Sequence, residues 1–374
     1  MSPSTKTRLA GRSHLYRSYE QELALFNTRP KAAGSALLLV VALFLPFVLE
    51  DSLLQTLAIA CCFAIGALGL NIVTGLAGQV SLGHAFFIGV GAYTASAISG
   101  DPEGRTIGFG VTNLLVWLPA AGIAAAIAGV IVAPLATRLR GLYLAIVTLG
   151  LVFIGEHIFR EWDDLTGGAG VGREGPTPEL FGHAFNEDTA SFTSEQSLYL
   201  LMLVLLLVFA LAARNLARSR VGRAFAAVRD RDMAAEMMAI NLPRTKTLAF
   251  AISSFYAGCA GGLLYSIIGF FDPASFNLLL SVQFIAMVLI GGAGTVSGTM
   301  MGAFFIALLP TLTRELPQYV PLISAQVTET PNVFQLQQIL YGLLIIGFLL
   351  FEPRGLFGIW VRIRNYWKGW PFSY

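Results

Sequence analysis

Long stretches without charge separate short polar segments along this chain. No Asp, Glu, Lys or Arg occurs at 52–100, 106–137, 141–155, 247–271 or 273–313. A helix needs about 20 apolar residues to cross the hydrocarbon core of a bilayer, and charged side chains are costly there. The pattern therefore predicts an all-α, polytopic membrane protein.

Glycine, proline and polar positions divide the apolar stretches into ten predicted membrane helices. The first follows six basic residues, as a secretory signal does, but no small-x-small cleavage site follows it, so we expect it to be retained as a membrane span. The ten helices are predicted at 33–50, 53–73, 81–99, 111–135, 141–159, 197–213, 246–269, 276–292, 298–313 and 335–351. They make up one transmembrane domain at 33–351, between a basic N-terminal segment at 1–32 and a C-terminal tail at 352–374.

Composition agrees with this pattern, and the distribution of charge adds an orientation. The 374 residues are 55% hydrophobic and 12% charged. With the N-terminus inside, 20 of the 24 basic residues lie in cytoplasmic segments and 16 of the 22 acidic residues lie outside or at outer ends of spans. Lys and Arg near the ends of spans are kept on the cytoplasmic side. We therefore expect a multi-pass protein of the plasma (inner) membrane with both termini cytoplasmic, and eight or twelve spans remain compatible with the same rule. The net charge of +2 gives no indication of nucleic-acid binding.

Ionisable and metal-binding groups are scarce in the predicted spans. His84 is the one candidate deep in a span, either as a proton relay or as a packing group. Cys61, Cys62 and Cys259 all fall in spans, where we expect packing residues rather than a disulfide or a metal site. No Gly-Lys pair occurs, so the chain lacks a phosphate-binding loop for ATP. We expect no catalytic residues, no metal and no cofactor, and a driving force that comes from another polypeptide.

The predicted cytoplasmic loop at 214–246 is the largest inner loop. Asp230 or Asp232 is predicted to cap a short helix that Asn241 and Pro243 end, and the apolar residues of this helix form a narrow stripe. Phe225 and Val228 share one face of the preceding segment. From the residues alone, the stripe either lies on the inner leaflet or docks into a groove of a partner protein.

Several blocks in order resemble the LivM-like permeases of branched-chain amino-acid ABC importers. They are LGLNIVTGLAGQVSLGHAFFIGVGAYTAS at 68–96, GLYLAIVTLG at 141–150, LTGGAGVG at 165–172, GRAFAAVRDRDMAAEMMAINLPRTK at 222–246, MVLIGGAGTVSGTMMGAFF at 287–305 and FEPRGLFG at 351–358. The resemblance covers about residues 30–360. It implies a permease subunit of the type II-like importers that forms the path for branched-chain amino acids.

The same resemblance implies partners and a coupling segment. The partners are a second homologous permease subunit, two ATP-binding cassette subunits that bind the ATP, an extracytoplasmic substrate-binding protein, and the lipid of the membrane. Together with the apolar stripe, it places ATPase coupling on Gly222, Arg223, Phe225, Arg229, Asp230, Met233, Ala234, Glu236, Met237 and Ile240.

The motif Gly-x-Ala-Gly-x-Val-Ser occurs twice, at 75–81 and at 291–297. Both copies lie between an inward-running and an outward-running span, so we expect a parallel repeat. Helices broken by glycine near the membrane centre can direct backbone groups at a zwitterionic amino acid. The predicted residues of the substrate path are Gly75, Gly78, Gln79, Ser81, His84 and Gln283.

Two further features have a structural and a functional interpretation. Small residues at four-residue spacing permit close helix packing, which is the role we expect for Gly258, Gly262, Gly294, Gly298 and Gly302. The outer loop at 160–196 has eight acidic residues and a glycine-rich run, so it is either a docking site for a binding protein, a lid, or a solvated connection.

Three other functions remain open from the sequence. An importer of the same class could carry urea, short amides or another small polar solute. A passive channel or facilitator would also have charge-free spans, but it leaves the amphipathic loop without a purpose. A membrane enzyme fits least, because His84, His157 and His183 are scattered and no acid, base and nucleophile cluster.

Overall fold

The computed structural model describes residues 29–139, 141–189, 192–314 and 332–369, and within them the chain is almost entirely helical. The longer helices are α1 (Arg29–Phe44), α2 (Asp51–Leu70), α3 (His84–Ser99), α4 (Leu114–Arg138), α5 (Leu142–Glu161), α7 (Ser194–Arg218), α8 (Arg220–Asp230), α10 (Leu242–Ile268), α11 (Leu278–Gly291), α12 (Val296–Arg314), α13 (Val333–Phe351) and α14 (Gly355–Gly369). Short helices α6 (Asp163–Thr166) and α9 (Asp232–Met237) lie in the loops, and 3-10 turns cover Leu45–Phe47 and Pro273–Phe276.

The few strands are two residues long and belong to the predicted outer side. They are β1 (Arg173–Glu174), β2 (Glu179–Leu180), β3 (His183–Ala184) and β4 (Phe270–Phe271). Strand β1 pairs antiparallel with β4, and β2 pairs antiparallel with β3. The strands fasten the outer loop to the end of α10.

The all-α, polytopic prediction is confirmed, although the count of ten spans is not. Each of the ten predicted segments lies on a helix. Among the described residues, six helices are long and apolar enough to cross a membrane, or seven if α13 and α14 form one bent span. Helices α1, α3 and α11 have only 16, 16 and 14 residues. The predicted N-terminal segment at 1–32 lies largely outside the described residues.

Helix α10 forms the centre of the bundle and packs along α2, α3 and α4. A Cβ on Gly258 of α10 would lie 2.5 Å from both Ala121 O and Ala125 Cβ of α4, and one on Gly262 would lie 2.9 Å from Ala95 Cβ of α3. Because lipid offers no hydrophobic drive for helices to associate, close approach at small residues is a main source of attraction. A side chain at either glycine would therefore push the neighbouring helices apart.

The outward faces of the peripheral helices are apolar. Ile131 on α4, Ile154 on α5 and Leu350 on α13 are more than half exposed in the isolated chain. In a soluble protein such surface would be unfavourable, whereas in a bilayer it contacts acyl chains.

Candidate functional site

The two copies of the glycine motif lie side by side at one end of the bundle. The first copy begins in the last two residues of a π-helical turn (Asn71–Leu76) that extends α2, and the second joins α11 to α12. Gly78 and Gly294, which occupy the same position of the motif, both have left-handed backbones, with φ of +69° and +81°. Since L side chains rarely adopt this conformation, each motif needs a glycine there.

Asn71 joins the two copies. Its side-chain oxygen accepts a hydrogen bond from the backbone N–H of Gly294 at 2.7 Å, and its amide donates to the carbonyl of Thr295 at 3.4 Å. Gly75 lies directly against the same N–H, where a Cβ would collide with it. π-helical turns inside α-helices are frequent at functional sites, and here the turn places a buried amide between the repeats. Asn71 is not among the residues predicted from the sequence, although it is a polar residue in a charge-free apolar stretch four positions before Gly75.

Helix α8 of the 214–246 loop contacts this pair of turns through one side chain. Arg229 donates a hydrogen bond to the carbonyl of Gly75 at 3.0 Å, and its Cγ lies 2.7 Å from where a Cβ of Gly78 would be. Its Nε also lies 3.3 Å from Asp230. A predicted coupling residue and two predicted path residues thus meet at one point. The turns therefore lie against the loop, whereas the sequence pattern predicts such breaks near the membrane centre.

A buried ion pair holds the rest of the loop. Lys246, only 2% exposed, lies 2.9 Å from Asp232 at the start of α9. A cavity of about 200 Å³ lies between this pair, Arg229, Gly78 and Gln79. Because removing one partner of a buried ion pair leaves an uncompensated charge, this contact strongly disfavours detachment of α9 from α10.

The capping prediction for the loop is wrong. Helix α9 has Arg231 at its N-cap with no side-chain cap, since Asp232 pairs with Lys246 instead. Asn241 caps the following helix by accepting a hydrogen bond from the N–H of Arg244. Ile240 lies beyond the end of α9, so it does not share a helical stripe with the methionines.

The loop presents methionine at its surface and buries its aromatic residue. Met233, Met237 and Met238 are between 74% and 87% exposed. Phe225 is fully buried, so it anchors α8 to the bundle and presents no surface to a partner. Flexible, exposed methionines are typical of protein-binding surfaces. Of the other predicted coupling residues, Gly222 is buried at the corner between α7 and α8, whereas Arg223, Asp230, Ala234 and Glu236 are exposed.

The remaining predicted path residues are buried or half-buried in the bundle. Gln79 and Ser81 are buried, Gln283 of α11 is half-buried, and His84 begins α3. The ring of His84 packs on Phe284 with a centroid distance of 5.0 Å, and its Nε2 lies 2.9 Å from the carbonyl of Gly66. In this conformation His84 is a hydrogen-bonded group of the core.

Side chains from other helices complete the break before α3. Thr148 accepts a hydrogen bond from the N–H of Leu82 at 2.9 Å, and Ser281 accepts one from the N–H of Ala85 at 3.0 Å. The first N–H groups of a helix have no partner within it, and a buried donor without one is costly. The start of α3 is thus fixed by α5 and α11.

The glycines assigned to packing divide into two groups. Gly298 and Gly302 lie on α12, where added Cβ atoms would meet the backbone of Gly291. Gly294 belongs to the left-handed turn. A Cβ added to it would lie 3.1 Å from a guanidinium nitrogen of Arg229. Gly294 therefore belongs with the junction of loop and turns rather than with the helix ladder.

At the opposite end, Arg173 fastens the outer loop to the bundle. It is 4% exposed and donates to the carbonyls of Leu165, Ser96 and Ile107 at 2.5, 2.8 and 3.1 Å. Burial lowers the pKa of Arg173, and the nearby Tyr93 opposes that shift. The outer loop is thus bonded to the end of the bundle. Phe181 is an exposed residue of this loop and has a left-handed φ of +53°.

Residues 52–349 match the model of the family described as branched-chain amino acid transport system, permease component. The permease protein LivM of the high-affinity branched-chain amino acid transport system is 30% identical over 335 residues in Salmonella typhimurium and in Escherichia coli, covering 85% of this chain and 73% of theirs.

More distant relatives extend the range of named solutes. The LivH permease protein of Escherichia coli is 24% identical over 264 residues, covering 67% of this chain and 81% of its own. The autoinducer 2 import permease LsrC of an Enterobacter strain is 32% identical over 205 residues, covering 54% of this chain and 55% of its own. No solved structure matches the chain. The family model covers most of the chain, and the matched region contains several apolar helices long enough to cross a membrane. The chain therefore belongs to the permease components of branched-chain amino acid transport systems.

Proposed function

We propose that this permease forms the membrane path for branched-chain amino acids in an ATP-driven importer, and that separate subunits bind and hydrolyse the ATP. The observation that carries the proposal is the contact of Arg229 with Gly75, which joins the loop at 214–246 to the paired glycine turns. A motor that moves α8 would move these turns directly.

The exposed methionines support a partner on the same loop. Met233, Met237 and Met238 lie on or just after α9, and Asp232 at the start of that helix pairs with Lys246 of α10. A hydrophobic patch on a fixed helix fits the groove of an ATP-binding subunit. The inner-leaflet alternative leaves the contact of Arg229 without a function.

The choice of solute rests on the relatives. The LivM proteins match across most of this chain, whereas the LsrC match covers about half of it and the xylose permease XylH of Escherichia coli matches over 97 residues. Branched-chain amino acids are therefore the favoured solutes.

The other partners follow from the same class of importer. A second homologous permease would complete the path, since LivM and LivH are both named as permease proteins of one kind of transport system. An extracytoplasmic binding protein would deliver the solute to the acidic outer loop, with Phe181 at its exposed tip as a contact. Both termini would then be cytoplasmic.

Reconstitution tests the proposal. The chain is co-purified with its candidate partner permease and ATP-binding subunits, placed in liposomes, and supplied with binding protein and radiolabelled leucine. We expect accumulation of leucine above the external concentration with ATP and none with a non-hydrolysable analogue. Equilibration without ATP would indicate a facilitator, and uptake of xylose or urea in place of leucine would overturn the assigned solute.

A further inference from the structure

Helix α14 leaves the bundle at the same end as the 214–246 loop. It follows α13 after three residues, and the two helices are bent by 46°. Its first turn packs on the second glycine motif: an added Cβ on Gly298 would lie 2.9 Å from Phe357 Cβ, and one on Gly292 would lie 3.2 Å from it. The base of α14 therefore abuts the turn that Asn71 and Arg229 hold.

One face of α14 is apolar and uncovered within the described residues. The spacing of its large side chains places them on one stripe that covers about a third of the helix circumference. Each is between 36% and 71% exposed, and they are Ile359, Trp360, Ile363, Tyr366 and Trp367. Trp and Tyr are enriched where a protein crosses from hydrocarbon to head groups.

The charge of this segment is entirely basic. Arg354, Arg362, Arg364 and Lys368 occur between 353 and 374, and no Asp or Glu does. The preceding Glu352 pairs with Arg362 at 2.6 Å, although the Arg362 side chain remains 74% exposed. A basic helix with an aromatic stripe is suited to the surface of an anionic bilayer.

A membrane-spanning position for α14 fits poorly. Its 15 residues span about 22 Å at 1.5 Å per residue, less than the roughly 30 Å hydrocarbon core. Arg362 and Arg364 lie in its middle, where charge would be costly inside a bilayer. The sharp bend after α13 instead turns the helix out of the direction of the bundle.

We propose that α14 is an interfacial helix that binds anionic lipid at the bilayer surface. Its stripe lies at the boundary of head groups and acyl chains, and its arginines contact the phosphates of the lipids. Through Phe357 it braces the second glycine turn from the lipid side. Which leaflet it occupies rests on the proposed orientation, whereas the binding to lipid does not.

Spin labels on the full-length chain test this proposal. Cys61, Cys62 and Cys259 are replaced by alanine, and one nitroxide is attached at Ile363→Cys or, as the matched control two residues away on the opposite face, at Asn365→Cys. In nanodiscs with anionic lipid, we expect the label at 363 to collide with oxygen and be shielded from a nickel chelate. The label at 365 is expected to be several-fold more accessible to nickel.

Two further measurements with the label at 363 change the charge of α14 and add a partner permease. The double variant Arg362→Glu, Arg364→Glu is expected to raise the nickel accessibility at 363 several-fold in anionic nanodiscs, because the attraction to the lipids is lost. Equal accessibility at 363 and 365 would overturn the proposal. Protection at 363 that arises only when a partner permease is present would also overturn it and would assign the stripe to a protein interface. Neither result depends on transport, so failure here is distinguishable from failure of the proposed function.

Discussion

Replacing Arg229 with alanine is expected to reduce ATP-driven uptake about tenfold while ATP hydrolysis by the partner subunits continues. The guanidinium donates to the carbonyl of Gly75 at 3.0 Å, and its stem packs on Gly78. A hydrogen bond to a charged group contributes about 1.5–3 kcal/mol, and about 1.4 kcal/mol corresponds to a factor of ten. In the proposed mechanism, movement of α8 reaches the glycine turns through this contact, so its loss uncouples the two. Uptake and hydrolysis measured on the same proteoliposomes give the ratio of solute moved to ATP hydrolysed.

Arg220→Ala is the matched control for Arg229→Ala. Arg220 is an exposed arginine at the start of the same helix, and no coupling role is predicted for it. We expect uptake by this variant to remain near that of the unmodified chain. If both variants lost uptake equally, or if Arg229→Ala transported normally, the charge of the loop or another contact would carry the coupling.

Gly258→Ala is expected to lower the stability of the protein, because a single methyl group there would crowd neighbouring helices. Helices α3, α4 and α10 converge at this residue: its Cβ would lie 2.5 Å from Ala121 O and Ala125 Cβ, and a Cβ on Gly91 would in turn meet the backbone of Gly258. Overpacking of this kind costs about 1–3 kcal/mol. We expect the apparent Tm of the purified protein in detergent to fall by several degrees.

Gly150→Ala on α5 separates crowding from helix propensity. A Cβ at Gly150 meets no atom within 4 Å, so alanine there gains about 1 kcal/mol of helix propensity without a clash. Its apparent Tm is expected to stay level or rise. A fall of Tm in both variants alike would show that glycine at 258 is not required by packing.

The membrane helices were predictable because the hydrocarbon core excludes charged side chains along the whole length of a span. The positions of the helix ends depend on hydrogen-bond partners elsewhere in the fold. The span predicted from 81 begins as a helix only at His84, because the N–H groups of Leu82 and Ala85 bond to Thr148 and Ser281 on other helices. Such partners have no signature in the local sequence.

The candidate site was predictable in part. The repeat and the resemblance selected Gly75, Gly78 and Arg229, yet neither indicated that these residues touch. Asn71 was missed because its partner Gly294 lies 223 positions away. The role of Asp232 was misassigned for a similar reason, since its charge is matched by Lys246 rather than by the end of its own helix.

Crosslinking from Met237 tests the central claim that the 214–246 loop receives the motor. Met237 is 87% exposed at the end of α9, the helix that the ion pair of Asp232 and Lys246 joins to α10. With Met237→Cys in membranes and single cysteines on the candidate ATP-binding subunit, we expect specific crosslinks whose yield changes with nucleotide, in cells that still take up leucine. An absence of crosslinks to a subunit that nevertheless supports ATP-driven uptake would contradict the account.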